Sequence, residues 1–155
     1  MYTTIHRHKQ DVFEAVLRPV RHMVTTSLTE LIGPRYEGVS FDGRMQPQSV
    51  TPAGRGQTLA DVDHLSFGTR EQLMLLVRLA LARLLSRSGG RQCVVLDDPL
   101  VNADDRRQRA AVRLLEEAAR DTQILLFTCH PHAYVSAQAA TRFDLSALID
   151  ASRRS

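Results

Sequence analysis

Asp97 and Asp98 stand side by side where the apolar run Cys93-Val94-Val95-Leu96 ends, and Pro99 follows them. A carboxylate at a strand end can hold Mg2+, a small hard cation that takes oxygen ligands and keeps part of its water shell. Its neighbour can orient or deprotonate an attacking water. Two adjacent acids repel, so placing them at a sheet edge implies a compensating cation. The competing reading is a plain Asp-Asp-Pro turn. A second apolar run, Ile124-Leu125-Leu126-Phe127-Thr128, ends at Cys129-His130. There His130 can donate a hydrogen bond to a phosphate oxygen or to the attacking water; alone, it reads equally as a surface or core residue. Upstream, Ser66 and Gly68 open a long helical pattern. Exposed amides, a hydroxyl and the positive end of a helix make an anion site, whereas Ser66 as an ordinary N-cap needs no ligand.

These residues need elements to position them. A strand at Cys93–Leu96, a helix over about 104–120 and a strand at Ile124–Thr128 place the acid pair and the histidine at one edge of a parallel sheet, where α/β folds bind ligands. Continuous apolar character predicts a strand 93–96 covered on both faces. The helix 104–120 buries Ala111, Val112, Leu115 and Ala119. From Thr69 to Arg87, Leu73, Leu76, Val77, Ala80, Leu81, Leu84 and Leu85 form one apolar face, and Ser88-Gly89-Gly90 ends it. Residues 11–31 repeat apolar positions at helical spacing, with Pro19 expected to kink or split the helix and Gly33-Pro34 to stop it. Tyr36, Val39 and Phe41 suggest a short strand closed by Asp42-Gly43. The stretch 45–57 reads as a loop or a weak hairpin and receives no assigned element; Ala53-Gly54-Arg55-Gly56 reads as a turn. One more short element is expected in the tail, followed by a basic end.

The chain of 155 residues fits one domain, with a net charge of +3. Its single lysine is Lys9, so the basic residues are almost all arginine, which favours bidentate contacts to phosphate or carboxylate. They are scattered along helices, which suits a solvated surface and permits nucleic-acid contact. No apolar stretch approaches the ~20 residues that span a bilayer, the polar start is unlike a secretory signal, and a cytoplasmic location is expected. Cys93 and Cys129 are expected to be buried as small hydrophobes. Cys129-His130-Pro131-His132 lacks a second ligand cluster in the sequence, so no structural metal is expected. A phosphate-cradling loop, G-x-x-x-x-G-K-[ST], is absent: no Gly-Lys pair exists.

Leu65-Ser66-Phe67-Gly68 followed by Arg70-Glu71-Gln72 resembles the ABC signature of SMC-like DNA-repair ATPases. Residues 93–98 resemble their Walker B segment, 101–104 the D-loop and 127–130 the H-loop. The likeness is closest to the large bacterial AAA-type ATPases that carry a long coiled coil. It runs over residues 59–133 and is fainter over 11–45. Phe67 replaces the commoner glycine, and Asp98 the commoner glutamate, so the attacking water has to sit closer to the shorter side chain.

The resemblance implies an α/β, P-loop NTPase-like fold: the C-terminal lobe of an ABC/SMC head, a mostly parallel sheet flanked by helices and incomplete without its N-terminal lobe. It implies a helical arm at 1–32, where a coiled coil enters the head, and a head lobe at 33–155. By that likeness Asp97 is the Mg2+ acid, Asp98 the catalytic carboxylate and His130 the γ-phosphate sensor. Ser66, Phe67 and Gly68 touch ATP held by an opposing head, and Asp104 couples the two sites. ATP and Mg2+ are the implied cofactors. The implied partners are a Walker A-bearing lobe, in the same or a neighbouring polypeptide, and a second head in a head-to-head homodimer; DNA is a permitted partner and a membrane is not. The implied function is ATP hydrolysis in DNA repair or chromosome maintenance, with the chain inactive alone. The alternatives are a non-catalytic interaction module that keeps only the dimer surface, and a metal-dependent phosphohydrolase using Asp97, Asp98 and His130, for which further acidic ligands are lacking.

Overall fold

The computed structural model describes residues 2–54 and 59–153. The turn reading at Arg55-Gly56 and the last two residues of the basic end lie outside them. Helix α1 (Tyr2–Ile32) leads into strands β1 (Tyr36–Phe41), β2 (Pro47–Pro52) and β3 (Ala60–Asp61). Helix α2 (Phe67–Arg87), strand β4 (Cys93–Asp97), helix α3 (Asp105–Ala118), strand β5 (Gln123–Phe127) and helix α4 (Leu145–Ser152) follow. β1, β2 and β3 form an antiparallel sheet in that order, while β4 and β5 pair in parallel. Among the described residues this two-stranded pair is the whole of the parallel sheet, smaller than the mostly parallel sheet expected. No helix among them is long and apolar enough to cross a membrane.

The core forms where α1, α2 and α3 meet the two sheets. α2 is buried over most of its circumference, through Leu73, Leu75, Leu76, Val77, Leu79, Ala80 and Ala82, as expected of a helix at the centre of a fold. α1 contributes Leu17, Val20, Val24, Leu28 and Leu31 at helical spacing. Pro19 neither splits the helix nor ends it. A proline inside a helix costs about 3 kcal/mol; buried Leu17, Val20 and Val24 on either side of it supply packing that offsets this. Gly33 ends α1 at φ +97°, with its N–H donating to the Thr29 carbonyl, a left-handed cap that glycine adopts without strain. α3 buries Ala111, Val112, Leu115 and Ala118. Ala118, and not Ala119, completes the stripe because Ala119 is already the exposed cap.

Three expectations need correction. Residues 47–52 form β2, paired antiparallel with β1 and carrying buried Ser49 and Val50. Its prolines, Pro47 and Pro52, sit at the two ends, where a missing N–H is tolerated. β4, expected to be covered on both faces, buries only Val94 and Leu96; Cys93, Val95 and Asp97 are exposed. β5 repeats the pattern, with Leu125 and Phe127 exposed beside Val95. One face of the parallel pair therefore packs on the helices and the other is open and apolar. The cysteines are corrected with it, since both are exposed: Cys93 lies on the open face and Cys129 beyond the end of β5.

Candidate functional site

Parallel pairing sets Asp97 opposite Phe127 at the carboxyl ends of both strands. The Asp98 N–H donates to the Phe127 carbonyl at 2.9 Å, carrying the ladder one residue further. Asp98 then turns the chain at φ +41°. Few non-glycine residues enter this left-handed region, and Asp is among those that do. The bend points the Asp98 carboxylate at the segment leaving β5. Its Oδ1 accepts from the Thr128 hydroxyl and its Oδ2 from the Cys129 thiol, with Sγ at 2.9 Å. The Cys129 N–H faces both oxygens at 3.3 and 3.4 Å. These donors, the thiol first and the Thr128 hydroxyl next, hold the Asp98 carboxyl below the usual carboxylate range. The same bond pushes the Cys129 thiol up. The His130 N–H donates to Thr128 Oγ1 at 2.9 Å, and its imidazole is exposed beside Asp98. Asp98 and His130, remote in sequence, are thus brought together.

Asp97 is the exposed last residue of β4, on the side of Val95. It borders a cavity of about 440 Å3 shared with Arg70, Glu71 and Arg78 of α2. Among the described residues its carboxylate has no hydrogen-bond or ion-pair partner, and a free carboxylate fits a hard cation such as Mg2+.

Ser66 caps α2: its Oγ accepts from the Thr69 N–H at 3.3 Å and donates to Thr69 Oγ1 at 2.8 Å. Replacing Ser66 with Ala should lower stability by about 1 kcal/mol, read by denaturant unfolding; an unchanged midpoint would mean that the cap holds nothing. Phe67 is 59% exposed, with the Arg70 guanidinium 5.9 Å from its ring. The helix starts two residues earlier than the apolar pattern indicated, so Gly68 lies in its first turn. A Cβ on Gly68 would meet the Asn102 carbonyl oxygen at 3.0 Å, and Asn102 Nδ2 donates to Glu71 Oε2 at 2.9 Å. The segment 101–104 therefore locks onto the start of α2, a contact that spacing alone did not reveal. Asp104 caps α3, accepting from the Arg107 N–H at 2.9 Å, a bond that holds its carboxyl below the usual range. Tyr134, buried under this edge, has its phenol pushed up to about 12, chiefly by burial.

Solved structures share this architecture. One, from work on ATP-driven dimerization and DNA-stimulated activation of SMC ATPases, matches with a TM-score of 0.61 and 12% identity, over 93% of this chain and 95% of that one. The Smc head domain of Pyrococcus furiosus, bound to the C-terminal domain of ScpA, matches with a TM-score of 0.66 and 14% identity, over 87% of this chain and 34% of that one. The chain has the fold of an SMC head. Partial coverage of the larger head is consistent with a C-terminal SMC-like lobe. No protein-family model matches the sequence. Among curated proteins, the chain is 29% identical over 142 residues to the uncharacterized protein Rv1278 of Mycobacterium tuberculosis, covering 92% of this chain and 16% of that one. It is 36% identical over 86 residues to the uncharacterized protein YhaN of Bacillus subtilis, covering 54% of this chain and 9% of that one. The chain thus spans about a sixth of the length of the mycobacterial relative it matches.

Proposed function

We propose that the chain is the C-terminal lobe of an SMC/ABC-like ATPase head, contributing to a composite ATP site whose lysine-bearing loop comes from another segment. The observation that carries this reading is the carboxyl edge of the parallel pair, where Asp98 and His130 come together and Asp97, the last residue of β4, stands at the border of an open apolar face. That face, with Val95 58%, Leu125 42% and Phe127 44% exposed, is one that a packing layer of an N-terminal lobe would cover, while further strands of that lobe would join at the edges of the pair. That lobe would come from the same or a neighbouring polypeptide and supply Gly-Lys-Ser/Thr.

In this reading Asp97 holds Mg2+, which neutralises phosphate charge when bound. Asp98 orients the attacking water and takes its proton. Thr128 fixes the Asp98 carboxylate through Oδ1, and His130 donates to the oxygen that becomes most negative. Ser66, Phe67 and Gly68, at the exposed positive end of α2, face nucleotide on an opposing head in a head-to-head homodimer. Asp104 follows directly on the segment locked to that helix end and couples the two sites. Residues 1–32 are the arm entering the head and 33–155 the lobe. The SMC likeness supports a cytoplasmic role in DNA repair or chromosome maintenance. The arginine-rich surface supports contact with DNA.

The test is to co-purify the chain with a Gly-Lys-Ser/Thr-bearing lobe encoded in the same or a neighbouring reading frame and to measure Mg-dependent ATP turnover. The chain alone stays at background and the complex turns over. Robust turnover by the isolated chain would overturn the reading. A stable complex that binds ATP without hydrolysing it would instead favour the non-catalytic interaction module.

A further inference from the structure

The bend at Asp98 and the exit of β5 assemble a donor set that oxygen-binding Mg2+ does not call for. One ligand atom from each of Asp98, Cys129 and His130 lies within 4.8 Å of those of the other two. We propose that these three side chains form a site for a zinc-type divalent cation, separate from the Mg2+ position at Asp97.

The donors decide the metal class. A thiolate, an imidazole and a carboxylate suit Zn2+, whereas Mg2+ and Ca2+ take oxygen. The spacing suits it as well. Tetrahedral ligands at ~2.0–2.3 Å from a zinc ion stand about 3.3–3.8 Å apart. Cys129 Sγ and Asp98 Oδ2, hydrogen-bonded at 2.9 Å, move slightly apart once the thiol proton is gone, and the three ligand atoms start within 4.8 Å of one another. Cys129 and His130 are exposed, so their side chains can rotate to reach tetrahedral spacing, and the ion has an open path in. Thr128 occupies Asp98 Oδ1 and also receives the His130 N–H, leaving Oδ2 to face the thiol. This is the second layer of hydrogen bonds that orients metal ligands. On binding, the thiol proton leaves to solvent and the thiolate sulfur takes the metal in its place. The fourth position stays with water.

A consequence follows that rests on the ATPase reading. Zinc at this site holds Asp98 and His130, the two side chains assigned to water activation and phosphate sensing. It therefore inhibits hydrolysis.

Two measurements separate the site from that reading. The first titrates Co2+, then competing Zn2+, into the whole chain without nucleotide and follows thiolate-to-cobalt absorption. One equivalent saturates the wild type, and Cys93→Ser behaves like it. Cys129→Ser abolishes the thiolate band, and His130→Ala weakens binding by more than the ~10–100-fold that changes in the outer layer produce. Each variant's thermal melt is recorded beside it, so that a misfolded variant is recognised. A wild type with no thiolate band overturns the site, as does a band lost in Cys93→Ser or kept in Cys129→Ser. The second compares turnover of the completed head with and without Zn2+. The inhibition ratio falls toward one in Cys129→Ser; an unchanged ratio overturns the inhibitory role. A cobalt site in a complex that never hydrolyses ATP would leave the metal proposal standing and remove the ATPase reading.

Discussion

Asp98→Asn in the completed head lowers ATP turnover by about 10²–10⁴-fold, the usual contribution of a positioned general base, while nucleotide remains bound. The amide matches the carboxylate in size, and Asn tolerates the left-handed backbone that Asp98 adopts at φ +41°. Its carbonyl oxygen can still accept from Thr128, so the bend and the edge of the sheet survive. What disappears is the capacity to accept a proton from water, together with the acceptor that Oδ2 offers to the Cys129 thiol. Turnover by phosphate release and binding of a fluorescent ATP analogue should therefore separate. Unchanged turnover would remove Asp98 from the chemistry, and loss of binding together with turnover would mean that the substitution damages the site as a whole.

Leu28→Ala destabilises the chain by about 2–5 kcal/mol, the range for truncating a leucine in a packed core. Leu28 is 0% exposed and joins the cluster that holds Leu31 and Leu73. Domains of this size have roughly 5–15 kcal/mol in all, so the loss is readily seen in urea or thermal unfolding. The result bears on residues 1–32. An arm that merely leaves the head would lose little when truncated at Leu28, whereas a helix docked along α2 loses most of this range. A shift under about 1 kcal/mol would show that the helix is not docked as described; exposed Arg18→Ala, expected within about 0.5 kcal/mol, is the control.

The strands and helices that carry periodic apolar residues were legible in the sequence. α2, α3 and the parallel pair lie within one or two residues of their predicted bounds, because the apolar positions from Leu73 to Ala82, and Val94 with Leu96, have only one way to hide their side chains. The meeting of Asp98 and His130 at one sheet edge was legible because each sits just past the point where an apolar run stops. The misreadings share a cause: they concern surfaces whose partner is not written locally. Val95 and Cys93 look like interior residues, and their openness follows only from where the other elements go. β2 was hidden because its prolines read as breakers, although both stand at strand ends. The Asp98–Cys129 bond and the packing of Asn102 on Gly68 join residues about thirty apart, and no periodicity encodes them. His130 remained an ambiguous single histidine until Thr128 and Asp98 appeared beside it.

The bare strip formed by Val95, Leu125 and Phe127 has a consequence for the life of the chain in a crowded cell. Wherever it is left uncovered, copies meet each other through it, and greasy strips with free backbone edges clump readily. On the proposed reading the lysine-bearing lobe is what shields the strip, and uncovered copies would be cleared by proteases before they gather.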